Sequence, residues 1–251
     1  MSTAQEDPAA FYTAGYSLDD PEHSLRMGRW RAIGARSKAA HAVDLCTRAG
    51  LSPARVVEIG CGDGALLAEL SAAWPSARLD GFELSAPAIE IARSREIAGV
   101  ERLEAYDGEC LPVEDGTYDL AVLSHVVEHI PDPAPVVQEA ARVARFVLVE
   151  VPLEANRSAV RPEKRALSEA AGHLHAFDRQ AIRRLVADAG LKVVGELADP
   201  LGRSHHAFFA STPRAQALAT AKWALRATTH RVRPAVAERL FTVHYAVLAT
   251  A

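Results

Sequence analysis

Residues 56–67, Val56-Val-Glu-Ile-Gly-Cys-Gly-Asp-Gly-Ala-Leu-Leu67, decide how this chain is read. The stretch begins as an apolar, β-branched run, turns through Gly60, Gly62 and Gly64, and leaves with Leu66, Leu67 and Leu70 at helical spacing. It predicts a strand, a glycine-rich turn and a helix start. Glycine tolerates positive φ in such a turn and lets a ligand approach the backbone with no Cβ in the way. The free amides of the first helical turn then face that ligand. Strand, glycine turn and helix are generic to nucleotide-type sites. Glu58, two residues before the first glycine, narrows the choice, because its carboxylate repels a pyrophosphate and welcomes a cation.

Outward from this turn, strand and helix patterns alternate as a parallel α/β unit requires. Strands are expected at 55–59, 78–84, about 101–106, 118–124 and 146–152. Helices are expected at 63–73, after the cap Ser85 with Pro87 in its first turn, and at roughly 133–143. Residues 153–177 are polar and Arg-rich and break the alternation. A helix then runs from the N-cap Asp178 to Ala189, stopped by Gly190. Strands at about 191–197 and 205–211, joined by a short loop, read as an antiparallel hairpin. The tail after Pro213 reads as two helices split by Pro234, the second with an apolar stripe of Val236, Leu240, Val243 and Val247. Residues 1–24 form a polar arm carrying Phe11, Tyr12 and Tyr16, and 25–49 a helix that covers a sheet edge or serves as a flap using Tyr16 or an arginine. The expected division is an arm and cap helix over 1–50, one α/β domain over 51–212, and a helical extension over 213–251.

Composition bounds the function. The 251 residues are 49% hydrophobic and 24% charged, as in a soluble globular protein, with a formal net charge of -4. That balance counts against general nucleic-acid binding. Basic residues do gather in the tail, where Arg214, Lys222, Arg226, Arg231, Arg233 and Arg239 face only Glu238. Cys46, Cys61 and Cys110 show neither metal nor disulfide spacing, which suits cytoplasmic thiols. The acidic N-terminus is no signal peptide, and no apolar run approaches the roughly 20 residues that span a bilayer.

Two cofactors fit the glycine turn. Gly60, Gly62 and Ala65 satisfy the degenerate dinucleotide pattern, and Glu83, about 20 residues on, suits ribose hydroxyls in either case. Glu58, the placing of Gly64 and Tyr106-Asp-Gly-Glu-Cys-Leu-Pro112 favour S-adenosylmethionine, which carries an ammonium and a sulfonium and no phosphate. Asp107, just past the third strand, can accept from an adenine amino group.

With Ser124-His-Val-Val-Glu-His-Ile130 added, the ordered set resembles the class I S-adenosylmethionine-dependent methyltransferases, especially their small-molecule and quinone branch, over about residues 50–212. The resemblance implies a Rossmann-like doubly wound sheet of order 3-2-1-4-5-7-6 with strand 7 antiparallel, and S-adenosylhomocysteine as product. It implies that Glu58, Gly60, Cys61 and Gly62 hold the methionine end, Glu83 and Leu84 the ribose, Asp107 and Gly108 the adenine, and that Ser124 and His125 complete the wall.

The chemistry implied is in-line displacement at the methyl, so the protein must position the acceptor and exclude water. An oxygen acceptor also needs a base, for which histidine is suited. His173, in the polar insert, leads; His125 and His129 are the other candidates. No metal is expected, since Glu150, Glu154, His173 and His175 match no ligand spacing. Arg157, Arg161, Lys164 and Arg165 are a solvated face or a lid for an acidic acceptor. The expected partner is a small-molecule acceptor, with no membrane. O-methylation stands first; N- or C-methylation, an RNA substrate, and a non-catalytic scaffold are the alternatives. The stripe at 236–247 is a candidate homodimer surface.

Overall fold

The computed structural model describes residues 15–16 and 21–250; Phe11 and Tyr12 lie outside the described residues. Seven strands form one sheet of order β3-β2-β1-β4-β5-β7-β6. They are β1 (Arg55–Ile59), β2 (Arg78–Glu83), β3 (Val100–Ala105), β4 (Tyr118–Ser124), β5 (Ala144–Pro152), β6 (Lys192–Asp199) and β7 (His244–Thr250). The first five are parallel, and β7 runs antiparallel to both neighbours. β1 lies inside the sheet, and Val56 to Ile59 are all buried, which is why that run is continuously apolar apart from Glu58.

Each face of the sheet carries a core. On one face lie α1 (Pro21–Arg48), α2 (Ala65–Ala73) and α3 (Ala86–Ser94). Ala35, Ala39, Ala42 and Cys46 of α1 recur at spacings of four, three and four and are buried with Leu45, so small side chains let this helix sit close to the sheet. On the other face, α4 (Ala134–Val143) buries Val136, Val137, Ala140 and Val143. α5 (Pro162–Ala170) follows in the polar insert with no buried residue, and α6 (Arg179–Asp188) buries Ile182 and Val186. α7 (Arg203–Ala207), α8 (Pro213–Val232) and α9 (Pro234–Leu240) connect β6 to β7.

Two expectations fail here. Residues 205–211 are not a strand: α7 and a turn occupy them, and the antiparallel partner of β6 is β7. Nor is the end of the tail helical. Tyr245, Val247 and Ala249 join the core on one face, while Ala246 and Leu248 join the other. That is the two-residue alternation of a central strand, apolar on both faces. The spacing of Val236, Leu240, Val243 and Val247 mimicked a helix, but Val243 and Val247 are wholly buried beside β5 and offer no surface for a dimer. The stretch expected as a helical extension thus supplies a strand between β5 and β6.

This topology places the site. β1, β2, β4 and β5 all end at the same sheet edge. Because β7 is antiparallel, its first residue lies there too, with His244 opposite Pro152.

Candidate active site

The glycine turn leaves β1 with Gly60, Gly62 and Gly64 at φ of 78, 53 and 74°. Gly60 N–H donates to the Phe82 carbonyl at 2.7 Å. Gly62 N–H donates to Glu83 Oε2 at 2.9 Å, and Ser85 N–H to Glu83 Oε1 at 3.0 Å, so the Glu83 carboxylate is fixed beside the turn. Asp63 is clamped by Arg31 Nε and Arg95 Nη2, each at 2.8 Å. The first two glycines of the turn cannot be replaced freely. A Cβ on Gly60 would stand 2.5 Å from Val126 Cγ2, and one on Gly62 2.5 Å from the Tyr16 hydroxyl. Tyr16, from the arm, therefore lies over the turn, with the Arg31 guanidinium carbon 4.7 Å from its ring centre.

The donor set fits a cation. Glu58 is buried, and its Oε2 has no hydrogen-bond partner among the described residues. Burial raises its carboxyl well above the usual range, Lys38 pulls it down, and Asp63 and Glu83 push it up again. Burial also raises Glu83. Two desolvated acids beside the turn are stabilised in their charged form by a bound ammonium or sulfonium, which a phosphate would disfavour. Further out, a Cβ on Gly108 would lie 3.7 Å from Leu84 Cδ1, so the residue expected at the adenine meets one expected at the ribose. Asp107 sits exposed at the rim, where its Oδ1 accepts the Glu109 N–H at 2.9 Å. Cys61 and Ser124 are buried, Ser124 Oγ without a hydrogen-bond partner among the described residues.

Beyond β4 lies a pocket of histidines. His125 holds the left-handed conformation, φ 59°, and its N–H donates to the Glu150 carbonyl at 2.8 Å. Its Nε2 faces His244 Nδ1 at 2.9 Å, and its Nδ1 lies 3.2 Å from Glu128 Oε1. Burial first, then the Lys38 charge, holds His125 well below its ordinary pKa; burial and the His125 ring do the same to His244. Both rings are therefore neutral at pH 7, and one donates to the other. Beneath them His41 Nδ1 lies 3.1 Å from Glu150 Oε1 and its Nε2 3.5 Å from Asp199 Oδ2. Burial opposes the charge on His41, but those two carboxylates outweigh it and lift the ring to about 9.

His173 is paired. Its Nδ1 lies 2.8 Å from Glu154 Oε2 and 3.1 Å from Ser168 Oγ. Burial would lower this ring, yet the Glu154 bond and the charges of Glu128 and Glu154 raise it above its ordinary value. His129 meets it edge to face, ring centres 4.8 Å apart, with His129 Nδ1 donating to the Gly172 carbonyl at 3.1 Å. His175 Nε2 donates to the Ile130 carbonyl at 2.8 Å, away from Glu154. Glu150, Glu154, His173 and His175 therefore do not converge. Among the described residues, the sets that do are His125, Glu150 and His244, and Glu128, His129 and His173, each with ligand atoms within 4.8 Å of one another.

Comparisons with known proteins bear on the fold and the cofactor. A family described as "Methyltransferase domain" matches residues 30–196. The chain belongs to that methyltransferase family. Its fold is that of the class I S-adenosylmethionine-dependent enzymes, and S-adenosylmethionine is the cofactor its acidic turn fits. Over 161 residues it is 30% identical to the ubiquinone biosynthesis O-methyltransferase of Bordetella parapertussis, an alignment covering 58% of this chain and 63% of that one. The protein of the same name from Thiobacillus denitrificans is 32% identical over 129 residues, 47% of this chain and 53% of that one. The chain thus spans under two thirds of these relatives' length. Among solved structures, a geranyl diphosphate methyltransferase in complex with SAM superposes with a TM-score of 0.61 at 16% identity, covering 86% of this chain and 84% of that one. A sarcosine dimethylglycine methyltransferase-like protein from Galdieria sulphuraria gives 0.56 at 16% identity, covering 92% and 87%. At that identity the likeness speaks for the fold.

Several pocket residues of this methyltransferase were invisible to sequence reasoning. Lys38 and His41 sit in a helix with no motif, and their only signal is a three-residue spacing on the face that buries Ala35, Ala42 and Leu45. His244 lay in a tail read as helix. His205, expected in a strand, instead reaches from α7 to Trp30, ring centres 5.3 Å apart and tilted, and meets His244 edge to face at 6.1 Å, and burial lowers it to about 4.

Proposed function

We propose that this methyltransferase moves a methyl group to an oxygen of a small organic acceptor, with His173 as the base. When bound, the cofactor supplies an electrophilic methyl on a sulfonium whose leaving group is a neutral thioether. Glu58, Gly60, Cys61 and Gly62 hold its methionine end, Glu83 and Leu84 its ribose, and Asp107 and Gly108 its adenine. Ser124 and His125 close the wall between cofactor and acceptor. The observation that carries the reading is the Glu154–His173 pair, at 2.8 Å, beside His129 and the buried Glu128 at the sheet edge that holds the cofactor turn. A carboxylate on Nδ1 fixes the ring and leaves Nε2 to take the acceptor hydroxyl proton. His129 packs the ring from the side, and the neutral His125 and His244 line the floor without adding charge. The printed name of the Bordetella parapertussis relative, an O-methyltransferase, supports oxygen over nitrogen or carbon.

Among the described residues no helix is long and apolar enough to cross a membrane. A free small phenol or catechol serves as the test substrate. His173→Asn should lower kcat with a catechol acceptor by about 10² to 10⁴ and leave S-adenosylhomocysteine affinity unchanged. The pH profile of the wild type should rise above pH 6.5, as His173 loses its proton, and that limb should vanish in the variant. Undiminished turnover in His173→Asn would end the assignment.

A further inference from the structure

Arg226 of α8 is held without an acid. Its Nη1 donates to His206 Nδ1 at 3.0 Å, and its guanidinium carbon lies 5.7 Å from the centre of the Phe241 ring. His206 donates its Nε2–H to the Pro200 carbonyl, so Nδ1 is the lone-pair nitrogen and the ring is neutral. Other half-buried guanidiniums here meet carboxylates: Arg31 and Arg95 on Asp63, Arg179 on Glu196 and Glu238. Arg226 makes no ion pair among the described residues; it has like charges around it instead. Burial is the first cause that disfavours the charge on Arg226 and on Lys164; like charge adds to it, from Arg161, before α5, on Arg226, and from Arg226, Lys222 and Arg161 on Lys164 of α5. The side chains of Arg161, Lys164 and Lys222 make no hydrogen bond or ion pair among the described residues. The acid that Lys164 feels, Glu154, is already engaged by His173 and Ser168.

This cluster flanks both walls of the histidine pocket. On one side Lys164 stands one helical turn before Ser168, whose hydroxyl donates to Glu154 Oε2 at 2.6 Å in the Glu154–His173 pair. On the other, His206 meets His205 with ring centres 5.9 Å apart, and His205 packs on His244. Converging unpaired cations from separate elements repel one another, and a bound anion removes that cost. A guanidinium tied at one nitrogen to a neutral imidazole keeps its remaining donors in a fixed fork, which matches a carboxylate or phosphate.

We propose that Arg226, Lys164, Lys222 and Arg161 form a binding site for an anionic group, carboxylate or phosphate, carried by the methyl acceptor at a distance from its reacting oxygen. This rests on the reading of the histidine pocket as the acceptor site. Titration calorimetry on the full chain loaded with S-adenosylhomocysteine tests it, with inorganic pyrophosphate and with benzoate as separate probes. Binding of either one that weakens as salt rises and falls at least about tenfold in Arg226→Gln supports the site, and the probe that binds names the anion. Lys164→Gln, at an exposed position that does not threaten the fold, should weaken it as well. Failure of both probes to bind, or affinities unchanged in both variants, overturns the proposal. The underlying reading fails separately: if the anion binds as described yet His173→Asn methylates normally, the anion site stands and the acceptor assignment does not.

Discussion

His41 should make the protein's stability depend on pH in a window set by its two carboxylates. The ring is buried, with Glu150 Oε1 3.1 Å from one nitrogen and Asp199 Oδ2 3.5 Å from the other. Its folded pKa is about 9, against 6.5 for the free ring. At about 1.4 kcal/mol per pH unit this corresponds to about 3 kcal/mol of stability. Asp199 is 44% exposed, so solvent screening trims its share and about 2 kcal/mol is the safer expectation. The depressed pKa of Asp199 is the same interaction seen from the other partner and adds nothing further. The folded pKa lies above the unfolded one, so the contribution is complete below pH 6.5 and is lost as pH rises through about 9. Urea unfolding of the wild type and His41→Asn at pH 6.0 and pH 9.5 measures it. The variant should be the less stable by about 2 to 3 kcal/mol more at pH 6.0 than at pH 9.5. If the difference between the two proteins is the same at both values, His41 is not charged in the folded state and the account of the buried network fails.

Asp107→Ala should weaken S-adenosylmethionine binding by calorimetry while leaving the thermal midpoint nearly unchanged, because Asp107 is an exposed rim residue; unaltered affinity removes its adenine role. Gly62→Ala should cost about 1 to 2 kcal/mol from the left-handed backbone alone and displace Tyr16 as well, so cofactor affinity should fall, and Tyr16→Phe in the same background should recover part of it if the phenol hydroxyl is the obstacle. Leu248→Ala, at a wholly buried position of β7, should cost about 2 to 5 kcal/mol in urea unfolding, whereas Leu225→Ala on the exposed side of α8 should stay within about 0.5 kcal/mol; equal effects would contradict a central β7.

The parts of the fold that local chemistry determines could be read from the sequence alone. The stretch from Val56 to Ser124 alternates strands and helices with caps and glycine turns, and Glu58, Glu83 and Asp107 mark the carboxyl ends of strands by their place in that alternation. Periodicity is a property of neighbouring residues, so it survives in one dimension. The even spacing of Val236, Leu240, Val243 and Val247 was ambiguous for the same reason, since apolar residues four and three apart suit a helix face and also a strand buried on both sides. Only the tertiary structure resolved it, because β5 needs a partner and residues 244–250 supply one. That pairing also brought His244 to His125, from positions 119 residues apart, and the packing of α1 on the sheet brought His41 to Glu150 across 109. Contacts between such distant residues leave no local pattern. They follow from which element fills which place in the sheet, a matter of global packing that no window of sequence contains.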